Sequence, residues 1–195
     1  MENNFFALMF RMKYIQRWVL MRAAVPETLS THSAETAVIA HAIAAIGNEM
    51  FGRSYNCDAI GMKALYHDAP EILTGDLPTP VKNHSAEMVN ACKLIESAAF
   101  DRFMSLLPQE LRATYTGLFT LSPEEKLIVK SADKLCAYIK CIEEKRAGNG
   151  EFDMAYESTA EAVKAYREKL PEVDYFCSNY LGGFYLPLDT LKRVE

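Results

Sequence analysis

The sequence predicts an all-α fold, a single-domain helical bundle over residues 1–195. Three observations predict it. Apolar residues recur at spacings of three and four along most of the chain, the period of a helix with one buried face. β-branched alternation, the mark of a strand, is scarce and never sustained. The apolar stretches are also bounded by helix start and stop residues, most clearly at Ser122-Pro123-Glu124-Glu125. There Ser122 supplies the N-cap, Pro123 fills a position that needs no amide hydrogen, and Glu125 completes a capping box.

Phe5 to about Ile15 reads as the first helix, with Arg17-Trp18 at or just beyond its end. Pro26 to Thr31 reads as a loop. Ser30 or Thr31 then caps a helix from His32 to Ile46, ended by Gly47, with Ala37, Val38, His41, Ala42 and Ala45 on one broad face. After a loop from Gly52 to Asn56, Asp58 caps a helix to about Ala69. Pro70 has no amide hydrogen to continue the ladder, so the chain kinks or restarts there, with Glu71 in the turn beyond. Gly75-Asp76-Leu77-Pro78-Thr79-Pro80 reads as a rigid loop. A long helix from about Ser85 to Leu107 stops at Pro108, and a shorter one covers Gln109 to Phe119. The helix capped by Ser122 runs to about Arg146 and ends at Gly148-Asn149-Gly150. Phe152 to Leu170 is the last long helix. The tail from Pro171 to Glu195, rich in aromatic residues, packs back on the bundle. No repeat, low-complexity segment or linker divides the chain.

Composition excludes several classes. Half the residues are hydrophobic and 24% are charged, an ordinary globular balance. A net charge of −5 leaves no basic track for a nucleic acid polymer. The five cysteines (Cys57, Cys92, Cys136, Cys141, Cys177) are odd in number and include no Cys-x-x-Cys, which suits reduced thiols in the cytoplasm. Glu2, Arg11 and Lys13 break the apolar N-terminus too soon for a secretory signal, and no apolar run reaches the ~18 residues of a membrane span.

Chemistry gathers at His67-Asp68, with His32 before it and Asp133 after it. Two imidazoles and two carboxylates make a mixed nitrogen and oxygen donor set, suited to a borderline divalent ion. His67-Asp68 sits in an apolar stretch, where a charged carboxylate is costly unless paired or coordinated. Three separate predicted helices carry these residues, and a bundle can aim such groups at one interior point.

The surrounding residues carry a resemblance. Phe5-Phe6, Arg17-Trp18, Thr28 to Ser33, the unbroken segment from Tyr66 to Lys82, and Lys130-Ser131-Ala132-Asp133 are similar to the bacterial HD-domain 5′-deoxynucleotidases, the YfbR-like family of the HD superfamily of metal-dependent phosphohydrolases. Cys136-Ala137-Tyr138 and Ala147-Gly148-Asn149 extend the likeness beyond Asp133. The resemblance implies an HD-type bundle with its metal site between helices. It implies hydrolysis of deoxyribonucleoside 5′-monophosphates to deoxynucleoside and phosphate, with selectivity against ribonucleotides. His32, His67, Asp68 and Asp133 would hold one divalent transition metal ion, with Co²⁺, Mn²⁺, Zn²⁺, Cu²⁺ and Fe²⁺ all left open. Glu71 matches the family's general acid/base, and Asp76 a second essential carboxylate. Arg17 and Trp18 match residues that contact the nucleotide, Trp18 the one that disfavours a ribose 2′-hydroxyl. Leu77, Pro78 and Thr79 would line the same site, and His32, Asp68 and Asp133 would face the substrate too. The family implies a homodimer, for which the aromatic tail offers apolar area.

One position departs from the pattern. The family commonly has Ser-Glu-His-Ser at the first histidine, and here Thr31 replaces the acid. Altered support of His32 is the expected consequence.

Taken singly, each residue has a plainer reading. His32 is a surface histidine at a helix start, Trp18 a core anchor, Asp76 a turn residue, Glu71 a first-turn acid and Asp133 a surface charge. Glu143-Glu144-Lys145-Arg146 reads as a solvated helix end. Their joint order and spacing favour the site. Two other functions remain beside it. One is another HD activity, a deoxynucleoside triphosphate triphosphohydrolase or a cyclic-dinucleotide phosphodiesterase. The other is a metal-containing nucleotide-binding protein without catalysis.

Overall fold

Capping residues set the helix boundaries. The computed structural model describes residues 4–192. The helices are α1 (Phe5–Met9), α2 (Leu29–Phe51), α3 (Cys57–Tyr66), α4 (Glu71–Thr74), α5 (Thr79–Lys82), α6 (Ala86–Ser105), α7 (Gln109–Phe119), α8 (Pro123–Arg146), α9 (Asp153–Arg167), α10 (Pro171–Tyr180) and α11 (Leu188–Leu191). Among the described residues there is no strand, and the one isolated β-bridge pairs Gln16 with Thr28.

Several boundaries differ from expectation, for local reasons. The first helix is α only to Met9 and continues as a 3-10 turn over Phe10–Tyr14. The cap of α2 is Thr28, whose side chain accepts from the Thr31 amide, so the helix starts before Ser30 and Thr31. Nor does α2 stop at Gly47. A Cβ there would lie 2.7 Å from the Tyr55 ring, so this glycine permits close packing inside the helix. The helix ends at Gly52, whose φ of 64° supplies the left-handed exit. Asn56, not Asp58, caps α3, which ends at Tyr66 rather than Ala69. The chain restarts beyond Pro70, and the expected rigid loop contains the single turn α5. Pro123, Ser122 and Glu125 form the expected capping box.

The core lies between α2, α3, α8 and α10, with α9 against α8. The buried face of α2 runs through His32, Thr36, Ile39, Ile43 and Gly47. The expected set only flanks it: Val38 and His41 are exposed. Residues 37–45 are so rich in alanine that period alone does not choose a face, and the larger Ile39 and Ile43 decide it.

A second cluster joins Phe5, Ala69, Phe103, Met104 and Leu107. Phe5 is fully buried with its ring 4.3 Å from that of Phe103. Such burial contributes about 1.5–3 kcal/mol. Because Ala69 belongs to this cluster, α1, α6 and α7 back the turn that carries His67, Asp68 and Glu71. The described part of the tail packs back through Phe176 and Phe184, while Tyr180 and Tyr185 stay exposed. Arg193 to Glu195 lie outside the described residues.

Candidate metal centre and nucleotide pocket

Three of the candidate residues, His32, His67 and Asp68, meet at one point, and Asp133 joins them through His32. His32 is fully buried in the first turns of α2, with Nε2 3.1 Å from Asp133 Oδ1 on α8 and 3.7 Å from Asp68 Oδ2. His67, just past α3, donates from Nδ1 to the Ala64 carbonyl at 2.6 Å. That bond leaves Nε2 as the free nitrogen and aims it inward, 3.1 Å from Asp68 Oδ2 but with no hydrogen bond of its own. His32, His67 and Asp68 each offer a ligand atom within 4.8 Å of the others. A buried, unpartnered imidazole nitrogen beside carboxylates is the arrangement a borderline divalent ion satisfies.

The carboxylates and imidazoles of this cluster shift one another's pKa. Burial lowers the His32 pKa, but Asp133 and Glu27 outweigh it and carry it up to about 9. Burial likewise opposes the charged form of His67, and Asp68 and Asp133 raise its pKa. Burial favours neutral Asp68 and Asp133, yet the histidines hold both below the ordinary carboxylate range. Carboxylates that favour the charged form of both rings mark a place for positive charge, and a metal ion bound there would compete with protons for the same nitrogens.

Glu71 stands beside this group on α4. Burial, then repulsion from Asp68, pushes its carboxyl up to about 7, against the pull of Lys82. Lys82 donates to Glu71 Oε1 at 2.7 Å, and Oε2 is buried without a partner. A carboxyl poised near neutrality exchanges protons readily. Asp76 follows Gly75, whose φ of 75° and ψ of 160° suit glycine almost alone. Burial raises the pKa of Asp76, opposed by Arg17. The Arg17 guanidinium lies between the two acids, with Nη1 3.6 Å from Asp68 Oδ2 and 3.7 Å from Asp76 Oδ2.

Arg17 and Trp18 ride on a strap between α1 and α2. The strap is closed at its base, where Arg17 donates its amide to the Glu27 carbonyl and Leu29 donates to that of Ile15. Trp18 has φ 59°, the one positive value outside glycine among the described residues. That conformation costs of order 1–3 kcal/mol, so the surroundings must hold it. The far side of the strap is held by Glu144 on α8, which accepts from the amides of Ala24 and Val25 and from Asn149 Nδ2, and pairs with Lys140. Glu144 is therefore buried, contrary to the expected solvated helix end, though its neighbours Glu143, Lys145 and Arg146 are exposed.

A cavity of about 710 Å³ opens beside the cluster. Arg17, Trp18, Asp76, Leu77, Pro78 and Thr79 are all on its wall. His32, Asp68 and Asp133 are not. They adjoin it through Arg17 and through Lys134, whose Nζ is 3.3 Å from Asp133 Oδ2. Met154, Ser158 and Thr159 of α9 and Lys134 also line the cavity and were not expected, nor were Lys82 beside Glu71 and Glu27 beside His32. Lys82 closes the segment that carries the resemblance but has no role assigned to it, and the others carry no motif signal. Thr31 is exposed and turned to Thr28 (2.9 Å between hydroxyls), while Glu27 Oε1 faces His32 Nδ1 at 3.4 Å. In this chain the carboxylate facing His32 Nδ1 comes from Glu27, and Thr31 faces Thr28.

Known proteins share this plan. The family model described as 5′-deoxynucleotidase YfbR-like matches residues 4–184. A 5′-deoxynucleotidase of Vibrio parahaemolyticus is 45% identical over 195 residues, covering 98% of this chain and 99% of the relative. An HD-domain phosphohydrolase from Listeria innocua superposes with a TM-score of 0.82 at 25% identity, covering 97% of this chain and 92% of that one. The HD phosphohydrolase of cyanophage S-2L, bound to dA and one catalytic Zn²⁺ ion, shares the fold (TM-score 0.64, 21% identity, 91% of this chain and 95% of that one). On the full-length match of sequence and the HD-type helical fold, this chain belongs to the YfbR-like 5′-deoxynucleotidase family.

Proposed function

We propose that this protein is a metal-dependent 5′-deoxynucleotidase that converts deoxyribonucleoside 5′-monophosphates to deoxynucleoside and phosphate. The observation that carries the reading is the convergence of His32, His67 and Asp68, with Asp133 3.1 Å from His32 Nε2 and one imidazole nitrogen left unpartnered, next to Glu71, whose carboxyl is pushed up to about 7. We assign the four as ligands of one divalent transition metal ion.

A metal ion held there supplies Lewis acidity toward phosphoryl oxygens and makes water a better nucleophile. The protein supplies the rest. Arg17 presents a planar fork to phosphate oxygens, and its two carboxylate contacts hold it at the mouth of the cluster. Glu71 exchanges a proton at its carboxyl with the attacking water or the departing 5′-oxygen, and Lys82 fixes its orientation. Asp76 orients the water from the other side. Trp18 packs against the sugar and makes a 2′-hydroxyl costly to accommodate. Leu77, Pro78 and Thr79 complete that wall.

The test is phosphate release from dAMP and AMP side by side in Co²⁺ or Mn²⁺, for wild type and Glu71→Ala. Turnover of dAMP alone, lost in the variant, is expected. Equal turnover of both nucleotides would remove the sugar selectivity. Release of triphosphate from a deoxynucleoside triphosphate would favour the other HD chemistry, and binding without release a sensor.

We also propose one domain over the whole chain, a cytoplasmic setting and a homodimer. All five cysteines are free, and among the described residues no helix is long and apolar enough to cross a membrane. Exposed Met88, Leu94 and Ile95 on α6 give a second copy an apolar surface to cover. Sedimentation at several concentrations tests the dimer.

A further inference from the structure

Glu27 is nearly inaccessible at 5% exposure, and nothing in its sequence context marks it. Its two oxygens serve two different rings. Oε2 accepts from Trp18 Nε1 at 2.6 Å and lies 3.6 Å from Arg17 Nε. Oε1 faces His32 Nδ1 at 3.4 Å, and neither of those two atoms has another partner. Nε2 of the same imidazole faces Asp133 and Asp68. One buried carboxylate thus stands between the indole on the nucleotide cavity and the imidazole of the candidate metal centre.

Trp18 needs such a tie. Its left-handed backbone is not a default of the chain, and the ring's other close aromatic neighbour is Phe152, 5.2 Å between centroids. That tilted contact, 55° between the ring planes, leaves the indole free to slide, whereas a hydrogen bond from Nε1 fixes its rotation. His32 needs one too, because the group facing Nδ1 decides where Nε2 points.

We infer that Glu27 is a positioning residue that orients the Trp18 indole and the His32 imidazole together, so that discrimination against ribonucleotides and order at the metal centre depend on one carboxylate. The inference rests on the reading of Trp18 as the residue set against the sugar. Glu27 touches neither substrate nor reacting atoms in this scheme. Its effect reaches the reaction through the two rings.

The test uses Glu27→Gln, which keeps the size but cannot accept from both rings, and Glu27→Asp, which keeps the charge but is one methylene too short to span them. Circular dichroism first establishes that each variant is folded, and either folded variant suffices. Two quantities are then read. The first is the ratio of kcat/KM for dAMP over AMP. The second is the emission of Trp18, the one tryptophan in the chain, in metal-free protein.

The ratio is expected to fall about tenfold or more, with a shifted emission maximum and weaker Zn²⁺ binding. In a Trp18→Phe background the same change should leave the ratio where Trp18→Phe alone puts it, because the ring to be oriented is gone. A ratio within about twofold of wild type in a folded variant overturns the inference. So does a ratio that falls while the emission stays fixed, since the indole then has not moved. A wild type that hydrolyses dAMP and AMP equally fails the sugar-selective reading itself, before any variant is compared.

Discussion

Two carboxylates on α8, the half-buried Asp133 and the buried Glu144, face opposite fates. Asp133 joins His32, His67 and Asp68, where His67 Nε2 makes no hydrogen bond, and Glu71 Oε2 nearby makes none either. Glu144, three turns further along, has both oxygens fully used by two amides, Asn149 and Lys140. Both clusters are polar, and each takes a carboxylate from the same helix. The difference is completeness. A saturated network is a finished structural joint, while unpartnered donors and acceptors in a folded interior mark a place kept for a ligand. The joint also serves the site, since Glu144 moors the strap that carries Arg17 and Trp18.

The largest expected effect comes from depriving the open cluster of its ion. Chelation should suppress phosphate release by on the order of 10³-fold, and Mn²⁺ or Co²⁺ should restore it. Binding to the folded state alone also stabilises it, by about 2.7 kcal/mol at a hundredfold excess over Kd. Melting curves with and without Mn²⁺ should therefore differ for wild type and coincide for His67→Ala. A metal-induced rise in Tm that survives in His67→Ala would place the ion elsewhere.

Breaking the closed cluster should act on stability first. Glu144→Ala leaves the Lys140 ammonium buried without its partner and frees two strap amides, a change of about 3–5 kcal/mol read by urea unfolding. Activity of the remaining folded protein should fall through a higher KM for dAMP, because the strap bearing Arg17 is loosened at one end. If KM holds while stability drops, the mooring is irrelevant to the pocket.

The same carboxyl gives a pH dependence of known sign. Burial pushes Glu144 up, but Lys140, the Ala24 amide, Asn149 and the Val25 amide outweigh it and hold the group down at about 2. A carboxyl depressed in the folded state stabilises it fully above the ordinary value of 4.5. That contribution is lost as pH falls from there toward 2. Unfolding free energy measured from pH 6 to 3 should decline less steeply in Glu144→Gln than in wild type. Parallel curves would mean that the carboxylate is not held as the hydrogen bonds imply.

What the sequence revealed and what it concealed divide along the same line. The start of α8 was legible because Ser122, Pro123 and Glu125 act within one turn. The His67-Asp68 dipeptide was legible because two costly side chains interrupt an apolar run. Glu144 was misread because its partners Ala24 and Val25 are 120 and 119 residues away, and period or charge pattern reports only on a residue's own helix. Glu27 escaped for the same reason: it lies in a loop, and its use depends on where Trp18 and His32 meet in space. Gly47 looked like a stop because a helix-ending glycine and a glycine beneath a ring are the same letter. Groups that act locally are readable from the chain's own pattern, whereas groups that act across it are found after folding or, as for His32 and Asp133, through a family resemblance.

The smallest effect sharpens the contrast by disturbing the helix both clusters share. Ser122→Ala removes the side-chain acceptor of the Glu125 amide, 3.2 Å away, at the start of α8. The loss should be about 1 kcal/mol, read as a lower urea midpoint with an unchanged m-value. Glu125 retains its 2.7 Å contacts with Lys63, so the first turn keeps a tie to α3. Asp133 lies three turns further on, beyond the reach of end fraying in a helix packed against α2 and α9. The dAMP to AMP ratio and the Mn²⁺-induced rise in Tm should therefore match wild type. Should either move with this cap, the two clusters would share a helix-wide cause, and completeness of hydrogen bonding would not be what separates them.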